Sequence, residues 1–283
     1  MAAAKKSKAK KSKAKIVSFN VNGIRARLHQ LKMLDDVHAP DVVAIQECKV
    51  VDEDFPYDAV REAGYPFIET FGQKGHYGVT LLSKTAPKNT TYGVPWRAED
   101  QQRRLISADY RVNGLSFRIL NGYFPQGDSR DHPTKFPNKS EFYADILKIL
   151  NESLSPKDNV LVVGDMNVAA QDIDIGIGED NKKRWLRTGK ASFLPEEREW
   201  LQTIFDWGLR DTYAEQTSDN DRLYSWFDYR SKGFDREPRR GLRIDLILAT
   251  NPLMKKLTGV GIDYELRGAE KPSDHCPIWC EFS

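Results

Sequence analysis

Residues 159–167 read NVLVVGDMN. Val160, Leu161, Val162 and Val163 form an unbroken apolar run between polar residues, the pattern of a short strand buried on both faces inside an α/β sheet. Gly164 lets the backbone turn closely, and Asp165 and Asn167 follow where the strand should end. In extended chain, residues two apart project to one side, so the Asp165 carboxylate and the Asn167 amide are expected to enter one crevice. Taken alone, Gly-Asp and Asn suit an ordinary turn equally well.

Outward from that stretch the pattern recurs. Residues 16–22 (IVSFNVN) end in Asn20 and Asn22, and residues 42–47 (VVAIQE) end in Glu47. Residues 242–249 (LRIDLILA) carry Asp245 in an otherwise apolar run, and Ser273, Asp274 and His275 open a last strand-like segment. These strand ends present carboxylates, amides or imidazole, which a buried sheet does not need. Helices are expected between them. Leu28, Leu31, Leu34 and Val37 recur every three residues, and Asn138 and Glu141 are spaced as an N-cap and its reciprocal partner ahead of Phe142, Ile146 and Ile149. Pro195 opens a third helix that buries Trp200, Ile204 and Trp207 and stops at Gly208. Strands alternating with helices predict an α/β protein with covered sheets.

With 283 residues, 40% of them hydrophobic, the chain can bury a full core in one or two domains. Residues 1–15 (MAAAKKSKAKKSKAK) hold seven lysines and no acid, so the net charge of +2 leaves −5 on the remainder. A mildly acidic body argues for local basic patches around an acidic site. The Lys-rich segment lacks the apolar core of a secretory leader and reads as a disordered arm that merely solvates the chain or adds non-specific DNA affinity, with a nuclear address as the alternative. No apolar run approaches the ~20 residues that span a membrane. Cys48, Cys276 and Cys280 lack metal-site or disulfide spacing and are expected to be reduced and buried, as in a cytoplasmic, nucleoid-associated protein, or a nuclear one in a eukaryote. No fixed-period repeat supports a solenoid.

Glu47, Asp165, Asp245 and Asp274, with Asn20 and Asn167, make an oxygen-rich set suited to Mg²⁺, with Mn²⁺ as a substitute. Phosphoester hydrolysis demands rate help on the order of 20 kcal/mol. A general base supplies roughly 3 to 5 kcal/mol, so positioning, metal and phosphate-facing donors must supply the rest. His275 needs a partner to fix its tautomer. Asp274 is its chain neighbour and points away in extended chain, so Asp245 is expected to serve. Residues 182–187 (KKRWLR) form a basic-aromatic string, and residues 224–244 (YSWFDYRSKGFDREPRRGLRI) interleave aromatic and basic side chains, a composition that suits a nucleic-acid groove. The loop at 126–137 (QGDSRDHPTKFP) is expected to be irregular and on the surface.

The stretches SFNVNGIRAR, QECKV, GQKGHYGV, NGYFPQGDSRDHP, GDMN, DIGIGEDNKKRWLRTG, SFLPEEREW, SWFDYRSKGF, LRIDLILA and PSDHCP cover nearly everything from Ile16 onward. In order and spacing they resemble the exodeoxyribonuclease III family, the Mg²⁺-dependent abasic-site endonucleases and 3′ exonucleases of the endonuclease/exonuclease/phosphatase superfamily. The resemblance implies a four-layer α/β sandwich, two packed mixed sheets flanked by helices, with residues 16–283 as one catalytic domain. It makes Glu47 the main Mg²⁺ ligand, with Asn20, Asp165 and Asn167 nearby and Asp274 in support. Asp165, assisted by Asn167, would activate or orient the attacking water, Tyr123 would touch the scissile phosphate, and His275, oriented by Asp245, would stabilise its charge.

On the same resemblance Trp226, Leu242 and Ile244 wall a pocket for a base-less sugar. Asn22, Lys74, Arg104, Gln126, Arg130, Arg184, Trp185, Arg187, Arg230 and Lys232 would contact DNA. The implied partner is double-stranded DNA with abasic sites or 3′ ends, handled by a monomer without a membrane. The implied activities are incision 5′ to the lesion, 3′-to-5′ exonuclease and 3′-end-cleaning phosphatase. Two features depart from the family pattern: the Lys-rich arm, and a longer, more basic loop at 235–241 (DREPRRG). A superfamily phosphatase of small phosphoesters is the second enzyme reading, against which Trp226 and RWLRTG argue. A non-catalytic DNA-binding relative would lack one or more of Glu47, Asp165, Asn167, Asp245 and His275, and all are present.

Overall fold

The computed structural model describes residues 13–98 and 101–283. Its strands in chain order are β1 (Ala14–Asn20), β2 (Val42–Gln46), β3 (Phe67–Phe71), β4 (Val79–Ser83), β5 (Lys88–Tyr92) and β6 (Leu105–Val112). There follow β7 (Leu115–Tyr123), β8 (Val160–Asp165), β9 (Leu209–Asp211), β10 (Asp245–Thr250), β11 (Leu257–Ile262) and β12 (Ile278–Phe282). They form two six-stranded mixed sheets, ordered β11-β12-β1-β2-β4-β3 and β5-β6-β7-β8-β10-β9. β1 runs parallel to β2 and β7 parallel to β8, while the other pairings are antiparallel.

The two-residue period of the strands builds the layers. Ile16, Val42, Ala44, Leu161, Val163 and Ile247 point into the core between the sheets. Their neighbours Val17, Val43 and Ile45 pack outward with Leu31 and Leu34 of α1 (Leu28–His38) and Val60 of α2 (Tyr57–Glu62). On the other side Val160, Val162 and Leu248 meet Phe142, Ile146 and Leu150 of α3 (Lys135–Ser153), and further along the chain, beyond α4 (Glu179–Thr188), Leu201 and Ile204 of α5 (Pro195–Asp206). The result is the expected four-layer sandwich, helix, sheet, sheet, helix. Each fully buried aliphatic side chain contributes about 1.5 to 3 kcal/mol.

Several boundaries differ from the sequence reading. α3 begins at Lys135, so Asn138 is not its N-cap: Asn138 N–H donates to Thr134 O at 2.9 Å, and Glu141 pairs with Arg97. Pro137 falls in the first helical turn, where a missing N–H costs nothing, and the irregular loop ends correspondingly earlier. Val37, 58% exposed, lies off the buried stripe of α1. β1 starts at Ala14, and Lys13 and Lys15 both pair with Glu281 on β12, so the folded chain starts before residue 16. The remainder of the expected arm, residues 1–12, lies outside the described residues. The three cysteines are free and buried. No described helix is long and apolar enough to cross a membrane.

Candidate active site

The registers of the second sheet put three functional groups in one row. Tyr123 at the end of β7 pairs with Asp165 at the end of β8, and Asp165 pairs with Asp245 at the start of β10. Gly164 makes this row possible. Its φ is +136°, and a Cβ there would lie 1.9 Å from Gly122 O on β7. Asp165 and Asn167 are not joined by the extended geometry expected. The chain turns at Asn167, whose φ is +53°, and Asn167 N–H donates to Asp165 Oδ1 at 2.9 Å while its side-chain amide donates to Phe124 O.

The first sheet supplies the facing half. Asn20 Nδ2 donates to Glu47 Oε1 at 2.9 Å and to Asp165 Oδ2 at 3.0 Å, bridging the two sheets. Its Oδ1 accepts Asn22 N–H at 3.0 Å. Asn20 is therefore placed to hold the two carboxylates as a donor, rather than to offer them a further oxygen. The imidazole of His275 presents Nδ1 to Asp245 Oδ2 at 2.9 Å, which leaves Nε2 facing the site, 3.8 Å from Asp165 Oδ2. Asp245, not Asp274, is the partner, as the strand argument required. Asp274 instead accepts from Asn22 Nδ2 at 2.8 Å and from Trp226 Nε1 at 3.1 Å.

Burial and charge set the protonation states. Burial raises the Asp165 carboxyl; His275 opposes, but Asp245 and Glu47 add to the rise and carry it to about 8. Burial alone would lower His275, yet Asp245 and then Asp165 outweigh it and hold the imidazolium up to about 10. Burial would raise Glu47, but the Lys49 ammonium and the Asn20 and Lys49 hydrogen bonds leave it below the ordinary value. Burial, with Glu47 and Asp165, pushes the Tyr123 phenol well above its ordinary value, so it remains an O–H donor.

Glu47, Asp165 and His275 place one atom each within 4.8 Å of one another; the imidazolium has no lone pair to give, so the two carboxylates are the groups that could hold a metal ion. The facing Glu47 and Asp165 carboxylates, with Asp245 and Asp274 beside them, leave an excess of negative charge that a divalent cation would neutralise, and an oxygen-rich set without thiolate suits a hard one. The residues present fit such an ion. Asn22, Glu47, Lys49, Tyr77 and Asn167 all hold positive φ between 46° and 58° around the site. Such left-handed conformations cost about 1 kcal/mol or more each and concentrate where function requires them.

These groups lie at the base of a cleft of about 460 Å³. Ile177, Trp185, Trp226, Leu242 and Ile244 supply its apolar walls, so the three residues expected to wall a sugar pocket are brought together. Trp185 stacks on Phe193, with ring centroids 5.5 Å apart. Gln126, Arg184 and Arg230 line the same cleft. The other expected DNA contacts do not reach it. Arg104 is buried, its guanidinium 3.9 Å from the Tyr77 ring and 4.7 Å from that of Tyr123, and it donates to Tyr123 O: it props the tyrosine instead of facing solvent. Arg130 is paired in bidentate fashion with Glu196. Lys74, Arg187 and Lys232 are exposed outside the cleft lining.

Sequence reasoning missed four supports. Lys49 pairs with Glu47 at 2.8 Å and donates to Asn22. Ser225 Oγ donates to Asp245 Oδ2 at 2.6 Å and accepts from the N–H groups of Ile244 and Asp245. Lys139 and Glu197, both without exposure, form an ion pair at 2.5 Å. Lys139 also donates to the Asn167 and Gln126 carbonyls, and Glu197 accepts from Ser192 and Leu194 N–H, so the pair ties together three loops that line the cleft. Lys49 follows Glu47 in QECKV, a signal that was available; nothing in the spacing of the others marks them.

The model of the Endonuclease/Exonuclease/phosphatase family matches residues 17–275. The chain belongs to that family. Among curated members it is 51% identical to the exodeoxyribonuclease III of Haemophilus influenzae, over 95% of this chain and 99% of that protein. It is 30% identical to the DNA repair nuclease APEX1 of Danio rerio, over 93% of this chain and 80% of that one. Among solved structures, the 3′ phosphatase NExo from Neisseria bound to a product DNA hairpin superposes with a TM-score of 0.85 at 32% identity, covering 95% of this chain and 99% of that one. An AP endonuclease from Archaeoglobus fulgidus matches with the same score, identity and coverage.

Proposed function

We propose that this family member is a Mg²⁺-dependent phosphodiesterase of damaged duplex DNA, serving base excision repair as a monomer. It cuts 5′ to abasic sites and removes 3′ nucleotides or 3′ blocking groups. One observation carries the reading: two carboxylates held by a single amide, Glu47 and Asp165 on Asn20, face the His275–Asp245 pair at the base of a cleft walled by Trp226, Leu242 and Ile244. The relatives named for exodeoxyribonuclease, DNA repair nuclease and 3′ phosphatase activity support it.

The residues divide the work as follows. Glu47 and Asp165 would hold the cation, Mg²⁺ or Mn²⁺, which when bound keeps these carboxylates ionised and offsets charge on the phosphate. Asp165, kept ionised when the cation is bound, accepts a proton from the attacking water. Asn20 and the Asn167 N–H fix its two oxygens, so water is met in one orientation. The His275 imidazolium and the Tyr123 O–H face the phosphate as donors where charge develops. Trp226, Leu242 and Ile244 accept a base-less sugar by shape, since a full nucleotide would need space that they fill. The step joins water oxygen to phosphorus and breaks the bond to the 3′ oxygen of the preceding nucleotide; that oxygen takes up a proton from solvent and leaves as a 3′ hydroxyl, and the phosphate stays on the 5′ side of the abasic sugar.

Asp165→Asn tests this directly on a duplex with one abasic-site analogue. The variant is expected to lose cleavage by about 10²- to 10⁴-fold while still binding the duplex. Cleavage at the parent rate would exclude Asp165 from the chemistry.

A further inference from the structure

The loop at 235–241, DREPRRG, stands apart from the machinery described so far. It is closed by Arg240 N–H on Gly233 O and by Gly176 N–H on Gly241 O, each at 2.8 Å. Its three arginines divide by direction. Arg239 lies over the Phe234 and Tyr264 rings, 4.8 and 5.0 Å from their centroids, and anchors the loop to the aromatic cluster beneath it. Arg236 and Arg240 instead line the mouth of the catalytic cleft, beside Arg184 and Arg230.

Elsewhere on this chain guanidinium groups are commonly neutralised, as Arg97, Arg103, Arg118 and Arg130 are by carboxylates. Among the described residues neither Arg236 nor Arg240 has a carboxylate within ion-pair distance. Arg236 Nε donates to the Ser231 carbonyl, and the Arg240 guanidinium would lie 3.8 Å from a Cβ at Gly178. The acid of the neighbouring turn, Asp228, accepts from the N–H groups of Arg230 and Ser231. Two exposed guanidinium groups without a carboxylate partner, lining a cleft whose base is acidic, suit an anion that offers several acceptor oxygens.

We infer that Arg236 and Arg240 form a second phosphate subsite, which grips a phosphodiester flanking the one that is cut and so sets how firmly a strand is held during turnover. The inference rests on the DNA reading above and deepens it. Because the subsite acts at a distance from the reacting atoms, its removal changes binding and not the chemical step.

The test is duplex binding in the Asp165→Asn background, with and without Arg236→Gln and Arg240→Gln together, across a salt series. Both side chains are exposed, and Gln keeps their stems. The expected result is weaker binding with a log–log salt slope shallower by about 0.9, the loss of one neutralised phosphate. In the active enzyme the same pair of changes is expected to raise KM several-fold and leave kcat unaltered. A parent that binds duplex while the double variant keeps its affinity and slope would overturn the subsite alone. A parent that binds no duplex at low salt would overturn the DNA reading, and the subsite with it.

Discussion

At the residue scale the site depends on who faces whom. His275 stays charged because Asp245 sits 2.9 Å from Nδ1, and Asp245 is itself held by Ser225. Asp245→Asn removes that stabilising charge. We expect kcat to fall by about 10²-fold or more, and the alkaline limb of the pH–rate profile to move to lower pH. The sign follows from the direction of the shift: a raised imidazolium pKa drops when its carboxylate is lost, so the donor form disappears earlier as pH rises. An unchanged alkaline limb would show that another group sets it. This pairing was legible in the chain because alternation on a strand disqualified Asp274. The fates of Arg104 and Arg130 were not. Burial between two tyrosines and a bidentate Glu196 partner come from distant segments, and composition around each arginine looks like that of a DNA contact.

At the element scale, β8 and α3 show which information is local. The apolar run and its GDMN end identified β8 and its role, since two-sided burial and a catalytic terminus both leave marks in adjacent residues. The start of α3 did not follow from local spacing, because Thr134 and Pro137 compete with Asn138 as punctuation. Nor did Lys139, which reads as a surface lysine on an amphipathic helix but is buried against Glu197 of α5. Lys139→Met leaves that carboxylate unpaired and is expected to destabilise the fold by about 3 to 5 kcal/mol in urea unfolding. Lys139→Met with Glu197→Gln should recover part of the loss, and equal destabilisation of the two would contradict the pairing. Asp263 gives an element-scale pH dependence. Burial raises its carboxyl, but the hydrogen bond from His38 and the Leu266 N–H outweigh this and leave it below the ordinary 3.8. A depressed carboxylate contributes stability above its unfolded pKa and loses it as pH falls through the folded value. Thermal unfolding of Asp263→Asn should therefore depend less steeply on pH below about 4 than the parent; parallel curves would refute the assignment.

Over the whole molecule, function arises where two sheets expose their strand ends to one another. Each sheet alone presents half of the constellation: Asn20 and Glu47 from the first, Tyr123, Asp165 and Asp245 from the second, with His275 arriving just before β12. The amide of Asn20 closes the gap between them at 3.0 Å. That convergence explains why five separated stretches of sequence carried the same kind of polar ending, while the basic-aromatic pattern of residues 224–244 marked a groove without showing which of its arginines enter the cleft. The central claim is that this convergence cuts damaged DNA with a divalent cation. It is tested most directly with an end-labelled duplex carrying a single abasic-site analogue, incubated with Mg²⁺ and with EDTA, beside an undamaged duplex with a recessed 3′ end. The account predicts Mg²⁺-dependent incision at the analogue, abolished by EDTA, and laddering of the control from its 3′ end. Absence of any cut in either duplex, with a small phosphoester hydrolysed in the same buffer, would contradict it.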